Sequence, residues 1–66
     1  MALRVGDYLV ARDGSFYLVK LLELGGFRTL EVHPRADEAI LRARLHASED
    51  GARVWLRSLT DQYELL

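Results

Sequence analysis

The side chains best suited to chemistry in this sequence are six in its second half: Arg42, Arg44, His46, Arg53, Trp55 and Arg57. Guanidinium groups interleaved with an aromatic ring suit contact with phosphates and stacking against bases. The six would share one face if the chain doubled back at Asp50-Gly51, setting His46 opposite Trp55, Arg44 opposite Arg57 and Ser48 opposite Arg53. The same residues also make an ordinary solvated strand face, with Trp55 lying under arginine stems. Arg44 against Arg57 is unfavourable without an anion or a neighbouring carboxylate, and Glu49, Asp50, Asp61 and Glu64 are near enough in sequence to supply one.

The remaining candidates carry less. His33 and His46 could ligate a metal or act as general bases, but a metal site needs three or four convergent ligands, and neither histidine has a recognisable spacing to an Asp or Glu partner. They read as a strand-end residue and a surface residue. Thr29, Ser48 and Ser58 show no nucleophile-elbow context, and the pairs Asp37-Glu38 and Glu49-Asp50 read as solvated carboxylates in turns. Gly25-Gly26 is followed by a strand and not by a helix with a lysine, so it is no phosphate loop. With no cysteine, a disulfide framework and a thiolate zinc site are excluded. A walled pocket, commonly of roughly 300–1,000 Å³, is hard to build from so short a chain. The expectation is therefore a non-enzymatic protein with no catalytic, cofactor-binding or metal-binding residues.

The elements that must position these side chains begin with two turn signals, Asp13-Gly14 and Gly25-Gly26, each flanked by segments rich in Val, Leu, Tyr and Phe. Both dipeptides supply the positive φ of two-residue hairpin loops and predict a three-stranded antiparallel meander. Folding about the first pairs Val10 with Tyr17 and Tyr8 with Val19. Folding about the second pairs Lys20 with Glu31, Val19 with Val32 and Leu21 with Leu30. Together the two registers set Asp7, Lys20 and Glu31 in one cross-strand row. One face then carries Gly6, Tyr8, Val10, Tyr17, Val19, Leu21, Leu30 and Val32 and faces the core. The other carries that charged row among Val5, Leu9, Phe16, Leu18, Leu22, Leu24 and Phe27, too many large apolar groups for a solvated face.

Between Pro34 and Ala47, composition and periodicity disagree. Four Ala, the early acids Asp37 and Glu38, and Pro34 at a first helical position favour a helix. Ala39, Leu41, Ala43, Leu45 and Ala47, however, alternate without a break with Ile40, Arg42, Arg44, His46 and Ser48, as in a strand. The third turn signal, Asp50-Gly51, favours a C-terminal hairpin. The expected fold is mainly β, a meander plus that hairpin closing a small barrel or bent sheet, with βββαβ and a helix at residues 35–47 as the alternative. Thr60 to Leu66 forms a helical turn or a last short strand.

Sixty-six residues, half of them hydrophobic and 29% charged, form a single small domain over residues 1–66. Nine basic and ten acidic residues give a net charge of −1, without the basic excess of a dedicated nucleic-acid binder. No apolar run approaches the roughly 20 residues that cross a bilayer, and Met1-Ala2-Leu3-Arg4-Val5 is no signal-peptide start. The chain therefore reads as cytoplasmic, with no membrane association. Eight arginines to one lysine, no asparagine and a single glutamine give it a thermophile-like composition.

The opening Val5-Gly6-Asp7, the run to Val10-Ala11 and the step Asp13-Gly14-Ser15-Phe16-Tyr17 resemble the first hairpin of Tudor-type and related SH3-like small β-barrels. The likeness covers residues 5 to 22. It implies a five-stranded binding module, with Phe16 or Tyr17 at a position of the aromatic cage by which Tudor members hold methylated lysine or arginine. The family's later aromatic and Tyr-Gly step is absent, Val32-His33-Pro34-Arg35 standing in its place, so only the fold is carried over. The functional expectation is an interaction module that forms a homo-oligomer, most simply a dimer, through Val5, Leu9, Phe16, Leu18, Leu22 and Phe27, or that takes a protein partner there. The second reading is a nucleic-acid-binding small barrel that uses the Arg/Trp face.

Overall fold

The computed structural model describes residues 2–66. Its chain order is β1 (Tyr8–Asp13), β2 (Phe16–Glu23), β3 (Gly26–His33), α1 (Ala36–Asp50), β4 (Val54–Arg57) and β5 (Tyr63–Leu65). The strands form one mixed, open sheet in the order β3-β2-β1-β4-β5, with β1 and β4 parallel and the other neighbours antiparallel. The fold is thus mainly β, of the helix-containing alternative, and the sheet ends at two edges without closing into a barrel. Since β3, β1 and β4 run in one direction, the chain needs a crossover between β3 and β4, and a helix is the usual means. α1 supplies it, lying across one face.

Residues 36–50 are a helix and not the first arm of a hairpin, which corrects the favoured reading of that segment. Ala39, Ala43 and Ala47 are the buried positions of α1, and their four-residue spacing puts three methyl groups on one side. Such a strip lets the helix backbone approach the sheet closely. Asp37 and Glu38 occupy the first turn, where the helix dipole favours negative charge. At the other end Gly51 caps the helix with φ 65°, and the Ala47 carbonyl accepts from the backbone there. Asp50-Gly51 is therefore a helix stop. Nothing lies within 4 Å of a Cβ placed on Gly51, so a substitution there is penalised only through the left-handed backbone. Gly51→Ala is expected to lower stability by about 1 kcal/mol, checked by thermal unfolding; a loss below about 0.3 kcal/mol would show that the cap contributes little.

Both hairpins form, in registers offset from those predicted. The first turn is Gly14-Ser15, since Asp13 pairs with Phe16. Gly14 has φ 60° and Ser15 is not in the left-handed region, the pattern of a type II′ turn with glycine first. Tyr8 therefore pairs with Leu21 and Val10 with Val19. This is a slip of two residues, which keeps every side chain of β1 and β2 on its predicted face. Between β2 and β3 the turn is Leu24-Gly25, because Glu23 pairs with Gly26, and the register shifts between Val19 and Lys20, where Leu30 is the extra residue of β3. A bulge changes parity. Val32 consequently lies on the face away from the helix, beside Leu18, and Glu31 faces the helix. The row Asp7, Lys20, Glu31 does not form: Lys20 sits between Leu9 and Thr29.

Two clusters fill the molecule. Between sheet and helix, Tyr8, Val10, Val19 and Val54 pack against the three helix alanines, with Tyr17, Leu21, Leu30, Ile40 and Leu56 around them. On the other face, Leu9, Ala11 and Trp55 form a smaller cluster under Leu3.

Candidate functional site

The face of the sheet away from α1 is covered over only part of its width. Over β1 and β4 the N-terminal segment crosses it: Leu3 packs on Leu9, Ala11 and Trp55, and the Ala2 carbonyl accepts a hydrogen bond from Arg53 Nη2 at 3.0 Å. Beneath this strap, Asp7 is 4% exposed and is the anchor. Its carboxylate accepts from Arg53 Nη2 at 2.6 Å, Trp55 Nε1 at 2.9 Å, the Arg4 amide at 3.0 Å and Arg53 Nε at 3.2 Å. Burial works against ionisation of this carboxyl, but the bonds from Arg53, Arg4 and Trp55 and the guanidinium charge outweigh it and hold the pKa below the usual carboxylate range. The Arg53 guanidinium also lies 5.1 Å over the Trp55 ring, a cation–π arrangement.

Over β2 and β3 no segment among the described residues covers this face. Phe16 is 50% exposed, Phe27 41% and Val32 55%, and half-buried Leu18 and Leu22 lie between them in β2. The pairings Leu18 with Val32 and Leu22 with Phe27 make these side chains contiguous. Lys20, half-buried between Leu18 and Leu22, is the one charged residue inside the patch; Asp13, paired with Phe16, borders it. Neither Lys20 nor Asp13 has an ion-pair partner among the described residues.

Four of the six residues expected to form an association surface, Phe16, Leu18, Leu22 and Phe27, are brought together here, and Val32 joins them through the bulge. The other two are corrected. Leu9 is 1% exposed, covered by Leu3 and Trp55, and cannot reach a partner. Val5 borders a cleft of about 520 Å³ with Leu21, Asp50 and Ala52 at the far end of the helix.

The expected Arg/Trp face is dispersed, because the hairpin that would have assembled it is a helix. Arg42, Arg44 and His46 lie on α1, while Trp55 is on the opposite face of the sheet in the second cluster. The charges are also largely spent. Arg42 and His46 bond Glu31, Arg53 bonds Asp7, and Arg57 lies 3.8 Å from Asp61. Of the six, Arg44 alone is a cation with no ion-pair partner among the described residues.

Glu31 is the second hub and was not foreseen. Its carboxylate takes two of the three Arg42 guanidinium nitrogens, Nε at 3.0 Å and Nη2 at 3.1 Å, together with His46 Nε2 at 2.6 Å and His33 Nε2 at 2.7 Å. A carboxylate only accepts, so both imidazoles donate from Nε2. The Arg42 bonds, then that from His46, push the Glu31 pKa down to about 2; burial opposes the shift, and His33 adds to it. The His46 ring stacks on Tyr8 with centroids 5.7 Å apart, and the Tyr8 hydroxyl donates to Asp50. That bond, with burial, raises the Tyr8 pKa to about 12. The signal for this hub exists only once residues 36–50 are known to be helical: Arg42 and His46, four apart, then share a helix face. Among the described residues there is no group of three or more His, Cys, Asp or Glu side chains that could hold a metal ion. The Glu31 oxygens are committed to tying the edge strand β3 to α1.

The arrangement thus defines a small open mixed sheet with one helix-covered face and one half-covered face. Comparison with protein-family models, with curated proteins and with solved structures returned no match. No helix among the described residues is long and apolar enough to cross a membrane.

Proposed function

We propose that this protein is a non-enzymatic, cytoplasmic interaction module that associates with a second copy of itself through the uncovered face of β2 and β3. The observation that carries the reading is the asymmetry of the sheet. Phe16, Leu18, Leu22, Phe27 and Val32 form one apolar patch on the face that α1 does not reach and where the N-terminal strap stops short. A chain this small buries only about 60% of the surface its unfolded form exposes, so burial against a second copy supplies stabilisation that its own core lacks. The two carboxylates that line the cleft beside Val5, Asp7 and Asp50, are engaged in hydrogen bonds within the fold, which fits a binding role better than acid–base chemistry at that cleft.

The test is sedimentation across a micromolar to millimolar range. A concentration-dependent dimer is expected. Leu18→Glu sets a carboxylate in the middle of the patch and should weaken it at least about a hundredfold, roughly 3 kcal/mol. Phe16→Ser, at a half-exposed position that the monomer tolerates, should weaken it by a smaller factor. A wild-type protein that remains monomeric throughout would overturn the proposal.

A further inference from the structure

We infer that the cleft beside Val5 binds a small zwitterion of the α-amino acid type, in which an ammonium and a carboxylate flank an apolar side chain, with Asp50 taking the ammonium and Arg4 the carboxylate. Two charges line this cleft without meeting. Arg4 and Asp50 both border the same space of about 520 Å³, yet neither has an ion-pair partner among the described residues, each other included. The volume falls within the roughly 300–1,000 Å³ typical of small-molecule sites. The second charged pair at the cleft is already closed, since Arg53 Nη2 meets the Asp7 carboxylate at 2.6 Å. What stays unmatched is one cation and one anion, and a ligand carrying a single sign of charge would leave one of them unanswered.

Both groups are presented from fixed backbone. Arg4 opens a turn in which its amide donates to the Asp7 carboxylate and its carbonyl accepts from the Asp7 amide, each at 3.0 Å. Gly6, with φ 98°, gives its amide to the Leu22 carbonyl at 2.8 Å, which pins the turn to the end of β2. The Arg4 guanidinium is left for a ligand, and its planar fork matches a carboxylate with two parallel hydrogen bonds. Opposite, Asp50 is the last residue of α1. The Tyr8 hydroxyl donates to its Oδ2, which orients the carboxylate and leaves Oδ1 for an ammonium. The C-terminal end of the helix adds partial negative charge there, and no basic residue in the last turn offsets it. Val5, Leu21 and Ala52 supply an apolar lining, and Val5 is 57% exposed. An α-amino acid with an aliphatic side chain answers the cation, the anion and the apolar lining together.

Titration of isotope-labelled protein, followed by NMR, with leucine, leucinamide and isocaproate tests this, because the second lacks the carboxylate and the third the ammonium. Leucine should shift the amide resonances of Val5, Leu21 and Ala52 with a dissociation constant of about 1 mM, in keeping with an open site and a small ligand. Each analogue should bind about tenfold more weakly, one charge-assisted contact being lost. The variants remove the two preferences separately. Arg4→Gln, which keeps the backbone turn, should bind leucine no better than leucinamide, and Asp50→Asn, which keeps an acceptor for Tyr8, should bind leucine no better than isocaproate. Circular dichroism confirms that each variant keeps the fold. Resonances that do not move up to about 20 mM leucine, three probes that bind wild type alike, or preferences that persist in the variants would overturn the inference. Each of those results leaves self-association, which uses a different surface, standing.

Discussion

Asp7→Ala is expected to lower stability by about 3–5 kcal/mol, the range for removing one partner of a buried ion pair. The side chain lies under the N-terminal strap, and four donors converge on it: Nε and Nη2 of Arg53, the Trp55 indole and the Arg4 amide. Truncation leaves the indole N–H without its acceptor beneath Leu3 and leaves the half-buried guanidinium with the Ala2 carbonyl alone. The penalty is the desolvation of those orphaned donors more than the loss of the bonds themselves. For a domain of this size, whose total stability lies near the lower end of roughly 5–15 kcal/mol, that is most of what holds it folded. Asp7→Asn keeps one acceptor oxygen for the indole but turns an amide toward Arg53, and should fall between alanine and wild type. Urea unfolding followed through Trp55 fluorescence measures both. Because the proposed self-association would stabilise the folded state by mass action, wild type and variants must be compared at one low concentration. An alanine variant within about 0.5 kcal/mol of wild type would show that the strap and anchor are dispensable. The pH dependence has a definite sign. The folded carboxyl titrates below its ordinary value, so its contribution is fully present above about pH 4 and is lost as pH falls below that.

The meander was legible because its signals were local: turn dipeptides and alternating apolar residues fix strands and faces even when the register slips by two. Exact pairing was not legible. Asp13-Gly14 and Gly14-Ser15 both offer a hairpin loop, and only the packed sheet chooses between them. The bulge at Leu30 has no sequence signature of its own. Yet this one residue turned Glu31 toward the helix and Val32 toward the open face, and so created one hub and enlarged the patch. The helix was hidden for a more specific reason. Alanines at positions 39, 43 and 47 satisfy a period of four and a period of two equally, and a glycine after Asp50 serves a hairpin turn or a helix cap equally, since both need a left-handed residue. Leu41 and Leu45 tipped the reading toward a strand, although in the structure both are exposed on the outer side of α1. The apolar grouping of Phe16, Leu18, Leu22 and Phe27 survived these errors, because β2 kept its parity. The nucleic-acid face did not, because it depended on residues from two elements sharing one plane.

Glu31→Gln carries the second large effect. The carboxylate holds Arg42, His33 and His46 at once, and its pKa falls from an ordinary 4.5 to about 2, a shift that corresponds to about 3 kcal/mol if fully realised. The group lies close to the surface, so solvent screening reduces this, and a loss of roughly 1–2 kcal/mol at neutral pH is expected. A carboxyl depressed in the folded state stabilises above its unfolded pKa and ceases to do so as pH falls through its folded one. The gap between wild type and Glu31→Gln should therefore be constant above about pH 5 and close progressively toward pH 2. A gap that does not change with pH across that window would mean that the glutamine acts through shape and not through charge. The position of the hub extends the consequence beyond stability. Glu31 ties β3, an edge strand paired on one side only, to α1, and β3 carries Phe27 and Val32 of the proposed association surface. Loosening the tie should raise amide hydrogen exchange along β3 more than along β1. It should also weaken self-association, although Glu31 faces away from the patch. Unchanged exchange in β3 would place the support of that edge in the β2 ladder alone.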